Sequence, residues 1–231
     1  LKINALPVQL TGRFGFLSNG YEMFFKLESK SSQLHDIVTV LPPEYLKWLQ
    51  QTDVKGNADV YVTLGGKYIA ATREMPSLTF NMNIRNGFVN HAKAPVPVSN
   101  LYLDFRSSIP NMNLDSAYVN VDSLHFNMDK DYLDMVLKLR NVNHPELHAM
   151  LKTDMDLEKW NQATGYKDIH FKGRLSAQFN ADGTFRKGIV RKGRLRKNID
   201  TALVCIPRFN LTATLKDGYA KIDTMPGSVD R

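Results

Sequence analysis

One phrase occurs twice in this chain. Residues 75–89 and 206–220 share a proline (Pro76, Pro207), a glycine (Gly87, Gly218) and the apolar alternation between them, without a gap, at an offset of 131 residues. A second shared phrase lies upstream. Val54-Lys55-Gly56 is followed by Gly66, and Phe171-Lys172-Gly173 by Gly183, at an offset of 117. The second copy therefore carries fourteen extra residues between the two phrases (131 − 117). Self-similarity at so long a period means a repeated block of several elements, and it governs every other reading of the fold.

Each phrase has the grammar of a strand. Leu78, Phe80, Met82 and Ile84 alternate with Thr79, Asn81, Asn83 and Arg85. A period of two puts the first set on one face and the second on the other. In the second copy Phe209, Leu211, Ala213 and Leu215 alternate with Asn210, Thr212, Thr214 and Lys216. Asn86-Gly87 and Asp217-Gly218 follow at matched positions and predict equivalent hairpin turns. The same alternation recurs at Ala58–Leu64, Leu101–Phe105, Leu124–Met128, Leu133–Leu139 and Leu175–Phe179. Roughly ten to twelve such strands, each with one wet and one apolar face, predict a mostly β, antiparallel architecture of repeated multi-strand units. Two stretches predict short helices near 33–49, interrupted by Pro42-Pro43, and near 155–163, with Asp156 as N-cap. Each precedes a Lys-Gly phrase, so helix-then-sheet belongs to the repeat. The expected units are 1–110 and 111–231.

So many one-sided strands must bury their apolar face against something. Two short helices cover only part of it. The rest closes as a sandwich or stays as a curved groove, and a large open apolar surface marks an interaction site. The residues expected on it are Leu78, Phe80, Met82, Ile84, Leu101, Leu103, Phe105, Phe209, Leu211 and Leu215.

The chain has 231 residues and a net charge of +7. That charge is local. Arg186, Lys187, Arg191, Lys192, Arg194, Arg196 and Lys197 stand in twelve residues without an acid, so the remainder is neutral. A nucleic-acid-binding field over the whole protein is excluded on this distribution. The segment, inside the stretch where the second copy is longer, is expected as an exposed turn or strand edge. It is either simply solvated or in contact with anionic lipid head groups. No run of eighteen apolar residues is present. The chain opens and closes in repeat-like text and reads as a piece of a longer protein.

Catalytic patterns are sparse. His144 and His148 have a four-residue spacing, but Pro145 stands where a zinc-protease glutamate belongs. Cys205 is a lone cysteine, expected as a small buried residue rather than a nucleophile. Asp129, Asp131 and Asp134, like Asp154, Asp156 and Glu158, are expected on a solvated face. Asp129 and Asp131 resemble the start of a calcium loop that lacks its later Gly and Glu. Asn210-Leu211-Thr212 matches a glycosylation sequon inside a strand, read as coincidence. The expectation is a non-catalytic protein with no metal and no cofactor.

With these residues in place, the chain resembles the AsmA family of bacterial envelope proteins, which includes TamB-like members. The resemblance rests on Lys55-Gly56 opening a strand and on Pro76 with the alternating strand and Asn86-Gly87. It includes Ala94–Leu101 leading into Leu103-Asp104-Phe105, continues through Leu124–Leu139, and ends with Leu151–Gly183, where a short helix precedes Phe171-Lys172-Gly173. It implies a periplasmic β-rich region of an inner-membrane-anchored protein, the anchor lying outside this stretch. It also implies an apolar groove along which phospholipid passes between the inner and outer membranes of a Gram-negative cell. An alternative role is a scaffold or assembly factor for outer-membrane proteins. The family has no catalytic motif to carry over.

Overall fold

The computed structural model describes residues 1–42, 51–94, 96–164, 169–192, 198–222 and 228–230. The chain starts with β1 (Lys2–Ile3), β2 (Leu6–Pro7), β3 (Gln9–Leu17), β4 (Gly20–Gln33) and helix α1 (Leu34–Val38). Next come β5 (Thr52–Tyr68), β6 (Ser77–His91), β7 (Val98–Ile109), a 3-10 turn (Pro110–Met112), β8 (Tyr118–Met128), β9 (Asp131–Arg140) and β10 (Glu146–Asp156). Helix α2 (Leu157–Thr164) leads into β11 (Ile169–Thr184), β12 (Arg186–Lys192), β13 (Asn198–Cys205), β14 (Arg208–Ile222) and β15 (Ser228–Asp230).

Eleven of these strands form one antiparallel sheet in the order β15-β14-β11-β10-β9-β8-β7-β6-β5-β4-β3. The order is linear, so the sheet is open, with β3 at one edge. β1 and β2 form a separate two-stranded ribbon. Within the eleven-stranded sheet consecutive strands of the chain pair with each other except at one place. Between β11 and β14 the chain makes a separate hairpin, β12 with β13. This hairpin sits between Gly183 and Pro207, where the second copy is fourteen residues longer. In the first copy the same link is a short turn closed by an Ile69–Glu74 bridge.

The two copies occupy equivalent places. The first phrase lies in β6, paired with β5, and the second in β14, paired with β11. The structure corrects the expected hairpin turns. Asn86-Gly87 and Asp217-Gly218 lie inside the long strands β6 and β14. Each faces a Lys-Gly phrase across a register shift, between Lys55 and Asn57 in one pair and between Lys172 and Arg174 in the other. Asn86 (φ 51°) and Asp217 (φ 51°) take the left-handed conformation, and so do Gly56 (φ 118°) and Gly173 (φ 105°) opposite them. The positive φ that would close a hairpin is used here for a β-bulge, which bends the strand and raises its twist. The repeat holds, but as a matched pair of bulges rather than of turns.

Both helices fall near their expected places. α1 covers the first part of the 33–49 stretch, whereas Tyr45–Leu49 lies outside the described residues. α2 begins after Asp156, whose carboxylate accepts from the Glu158 backbone N–H at 3.0 Å, the N-cap bond expected there.

Candidate apolar binding face

In an antiparallel ladder, directly opposed residues project from the same face. Following the partners from strand to strand traces one row: Ala58, Ile84, Leu103, Leu124, Met135, Leu151, Phe179 and Leu211. All eight are apolar. A neighbouring row runs Met82, Phe105, Val121, Leu137, Ala149, Ala181 and Phe209. Leu78 and Phe80 continue the alternation of β6, and Leu215 faces Leu175 on β11. Leu101 packs with Met82 and Leu103 around Ile84. All ten residues singled out in the sequence therefore share one face.

The opposite face is polar. Arg106 donates to Asp122 at 2.7 Å through Nε, and this hydrogen bond raises the guanidinium pKa above its ordinary value. His125 Nδ1 lies 2.6 Å from Asp134, and Arg85 stacks over the Tyr102 ring at 4.2 Å.

The covers lie at one end of the apolar face. Leu34 of α1 packs with Val54, Ala58 and Ile84, and Ile37 and Val38 close around them. Ala58 keeps only 2% and Ile84 6% of its surface exposed. The β1–β2 turn is tied to the end of α1 by Asn4 Nδ2, which donates to the Thr39 carbonyl at 2.7 Å. At the second copy α2 lays Trp160 against Phe126, ring centroids 5.6 Å apart. Lys159 donates to Asp129 at 3.2 Å, and this hydrogen bond holds the Asp129 carboxyl below its ordinary pKa.

Asp131 departs from its expected place on a solvated face. It is 1% exposed, accepting from Arg174 Nη1 at 3.2 Å and from the Asp156 backbone N–H at 2.9 Å. A buried carboxylate needs such partners. Here they lock the start of β9 to the end of β10 and to β11.

Away from these covers the face opens. Phe80 and Phe105 meet edge to face at 5.7 Å and are half-buried. Phe209, Leu211 and Leu215 on β14 are 52%, 64% and 52% exposed. At the other edge Leu10 and Phe14 of β3 continue the face, and Phe16, 83% exposed, packs edge-on against Tyr21. Sequence reasoning missed this aromatic end. Its signal is an alternation, Leu10, Phe14 and Phe16, that Gly12 interrupts.

The basic segment is only partly within the described residues. Arg186, Lys187, Arg191 and Lys192 lie on β12, outside the main sheet, with Arg186 exposed. Arg194, Arg196 and Lys197 lie outside the described residues. Cys205, at the base of the hairpin, is half-buried rather than buried, 3.6 Å from the Thr184 hydroxyl. His148 meets Asp182 at 2.9 Å, while the His144 backbone N–H donates to Asn141. Among the described residues no group of three or more His, Cys, Asp or Glu side chains is placed to hold a metal.

Comparisons with protein families, with curated proteins and with solved structures found no match. The reading of the site therefore rests on its own geometry. Among the described residues no helix is long and apolar enough to cross a membrane.

Proposed function

We propose that this chain is a non-catalytic module of envelope biogenesis whose apolar face binds or conducts phospholipid in the periplasm, as part of a protein anchored in the inner membrane. The observation that carries the reading is the unbroken apolar row from Ala58 to Leu211. It crosses eight strands spaced about 4.8 Å apart, so it spans roughly 34 Å. The helices cover one end of the face and leave half-buried and exposed side chains over the rest. Ala58 and Ile84 lie beneath α1. The open part of the row, from Leu103 to Leu211, crosses six strands and offers roughly 24 Å of contact to an extended acyl chain, with no polar side chain interrupting it.

The protein expressed in bacteria and examined by native mass spectrometry is expected to carry phospholipid. Phe80→Asp is expected to lower that occupancy, because it sets a carboxylate in the open part of the face. Wild-type protein free of lipid would refute the reading. If it instead retained a β-rich protein partner, the scaffold role for outer-membrane proteins would replace it. That second reading draws on the sheet's outer strands among the described residues, β3 and β15.

The basic hairpin belongs to the same proposal as a contact for anionic head groups. Vesicles containing anionic lipid are expected to co-sediment the protein at low salt and to release it at 1 M salt, where screening acts within about 3 Å. Ser at Arg191, Lys192, Arg194 and Arg196 together should abolish the co-sedimentation. Unchanged binding by that variant would leave the hairpin with no membrane role.

A further inference from the structure

The apolar face closes and then reopens along β4 and β5. The rows that continue Met82 and Ile84 onto these strands hold Val60 with Ser29, and Ala58 with Ser32. All four are buried. Leu34 of α1 packs on Ala58, and the Ser29 hydroxyl donates to the Pro7 carbonyl of β2 at 2.7 Å. One row further from α1 the cover ends. Leu27 faces Val62, which faces Phe80, and in the next row Phe25 faces Leu64, which faces Leu78. Phe25 is exposed and the other five are half-buried. β4, β5 and β6 are each paired on both sides, so this is the exposure of an interior face and not of a sheet edge.

The stretch is set off from the open row on β7–β14. On β7 the partner of Phe80 is Ser107, so the Leu27–Val62–Phe80 row does not continue as apolar. The link is diagonal. The Phe80 ring meets Phe105, ring centroids 5.7 Å apart, and Phe105 belongs to the row of Met82, Val121 and Leu137. From β7 to β4 the stretch adds three strand spacings, roughly 14 Å. The acyl chains of one leaflet span about 15 Å, half of the hydrocarbon core.

We propose that Phe25, Leu27, Val62, Leu64, Leu78 and Phe80 form a second acyl-chain subsite, joined to the first through the Phe80–Phe105 contact. The proposal rests on the phospholipid reading above. It adds to that reading a second lipid, and a path that passes beside α1 instead of ending against it. The chemistry of the stretch selects the occupant. Its backbone groups are paired within the ladders, and its side chains carry no donor or acceptor. An extended peptide laid here would bury its own N–H and C=O groups unpaired. An acyl chain has none.

The test uses the full chain and phosphatidylcholine carrying a diazirine in its acyl chain, a zwitterionic lipid without the net negative charge that would draw it to the basic hairpin. After illumination, peptide mapping should find adducts on β4–β6, around Leu27 and Val62, as well as on β9–β11, and none on Leu34. Phe25→Glu sits at an exposed position where its carboxylate stays hydrated. It should lower the adducts on β4–β6 several-fold and leave those on β9–β11 unchanged. Adducts confined to β7–β14, or adducts on β4–β6 that Phe25→Glu does not lower, would overturn this subsite and leave the phospholipid reading standing. Adducts nowhere would remove both. Adducts on Leu34 would also overturn the subsite, since the chain would then run beneath α1. So would labelling of β4–β6 that falls as protein concentration rises, which would make a second copy the occupant.

Discussion

Gly56→Ala is expected to be among the most destabilising single-methyl changes in this protein. Gly56 holds φ at 118°, and a Cβ there would stand 2.7 Å from Gly87 Cα and 2.9 Å from the Asn86 carbonyl oxygen. Both contacts are with backbone, so no side chain can swing away. The strained conformation alone costs about 1–3 kcal/mol, and relieving the contacts must push β5 away from β6. Gly173→Ala should behave alike. Its Cβ would meet the carbonyl oxygens of Lys216 at 2.6 Å and Asp217 at 2.7 Å. Gly15→Ala supplies the control. It has no positive φ and its nearest contact would be 3.9 Å away, so the change should be neutral or stabilising by about 0.4–1 kcal/mol through the unfolded chain. Urea unfolding of the three variants measures this. Equal midpoints for Gly56→Ala and Gly15→Ala would show that the bulge is not the rigid joint described above.

A second large effect separates the two parts of the apolar face. Ile84 and Phe80 lie on the same strand and the same side, but Ile84 is under α1 and Phe80 is not. Ile84→Asp gives up about 1.5–3 kcal/mol of apolar burial and also places a carboxylate among Leu34, Val54 and Ala58 without a partner. The sum should unfold the α1 end or the whole sheet. Phe80→Asp leaves its carboxylate hydrated and should cost about 1–2 kcal/mol through lost contact area. Denaturant midpoints for the pair, with helical content followed by circular dichroism, test the contrast. Comparable losses at both positions would mean that Phe80 belongs to a closed core, and the open-face reading would fall.

Much of this was legible in the chain because period-two alternation is a direct imprint of a one-sided strand. All ten residues assigned to the apolar face reach it, since each sits in a clean alternation. The Asn86-Gly87 and Asp217-Gly218 pairs do not form the expected turns, for a physical reason. A left-handed residue followed by glycine suits a tight turn and a bulge equally, and only the partner strand decides. The partner signal is present in the repeated Lys-Gly phrases, but pairing between segments 31 residues apart in one copy (87 − 56) and 45 in the other (218 − 173) is not written in either one. β10 is harder to read because its alternation is blurred by Met150 on the polar side and Thr153 on the apolar side. Burial of Asp131 was illegible too, since its partners Arg174 and Asp156 come from other elements.

The strictly sequential pairing has a consequence for how the molecule holds together. Apart from the β12–β13 excursion, each strand of the sheet pairs only with the strands before and after it in the chain. Cohesion in such an array is close to a sum of nearest-neighbour terms, as in solenoids. Loss of an outer strand exposes one new edge and leaves the interior ladder standing. The excursion shows the tolerance that goes with this. A whole hairpin is accommodated at one link while β11 and β14 keep the register that β5 and β6 have. Length in such a design is a free parameter, set by how many blocks are joined rather than by any closure the sheet must reach.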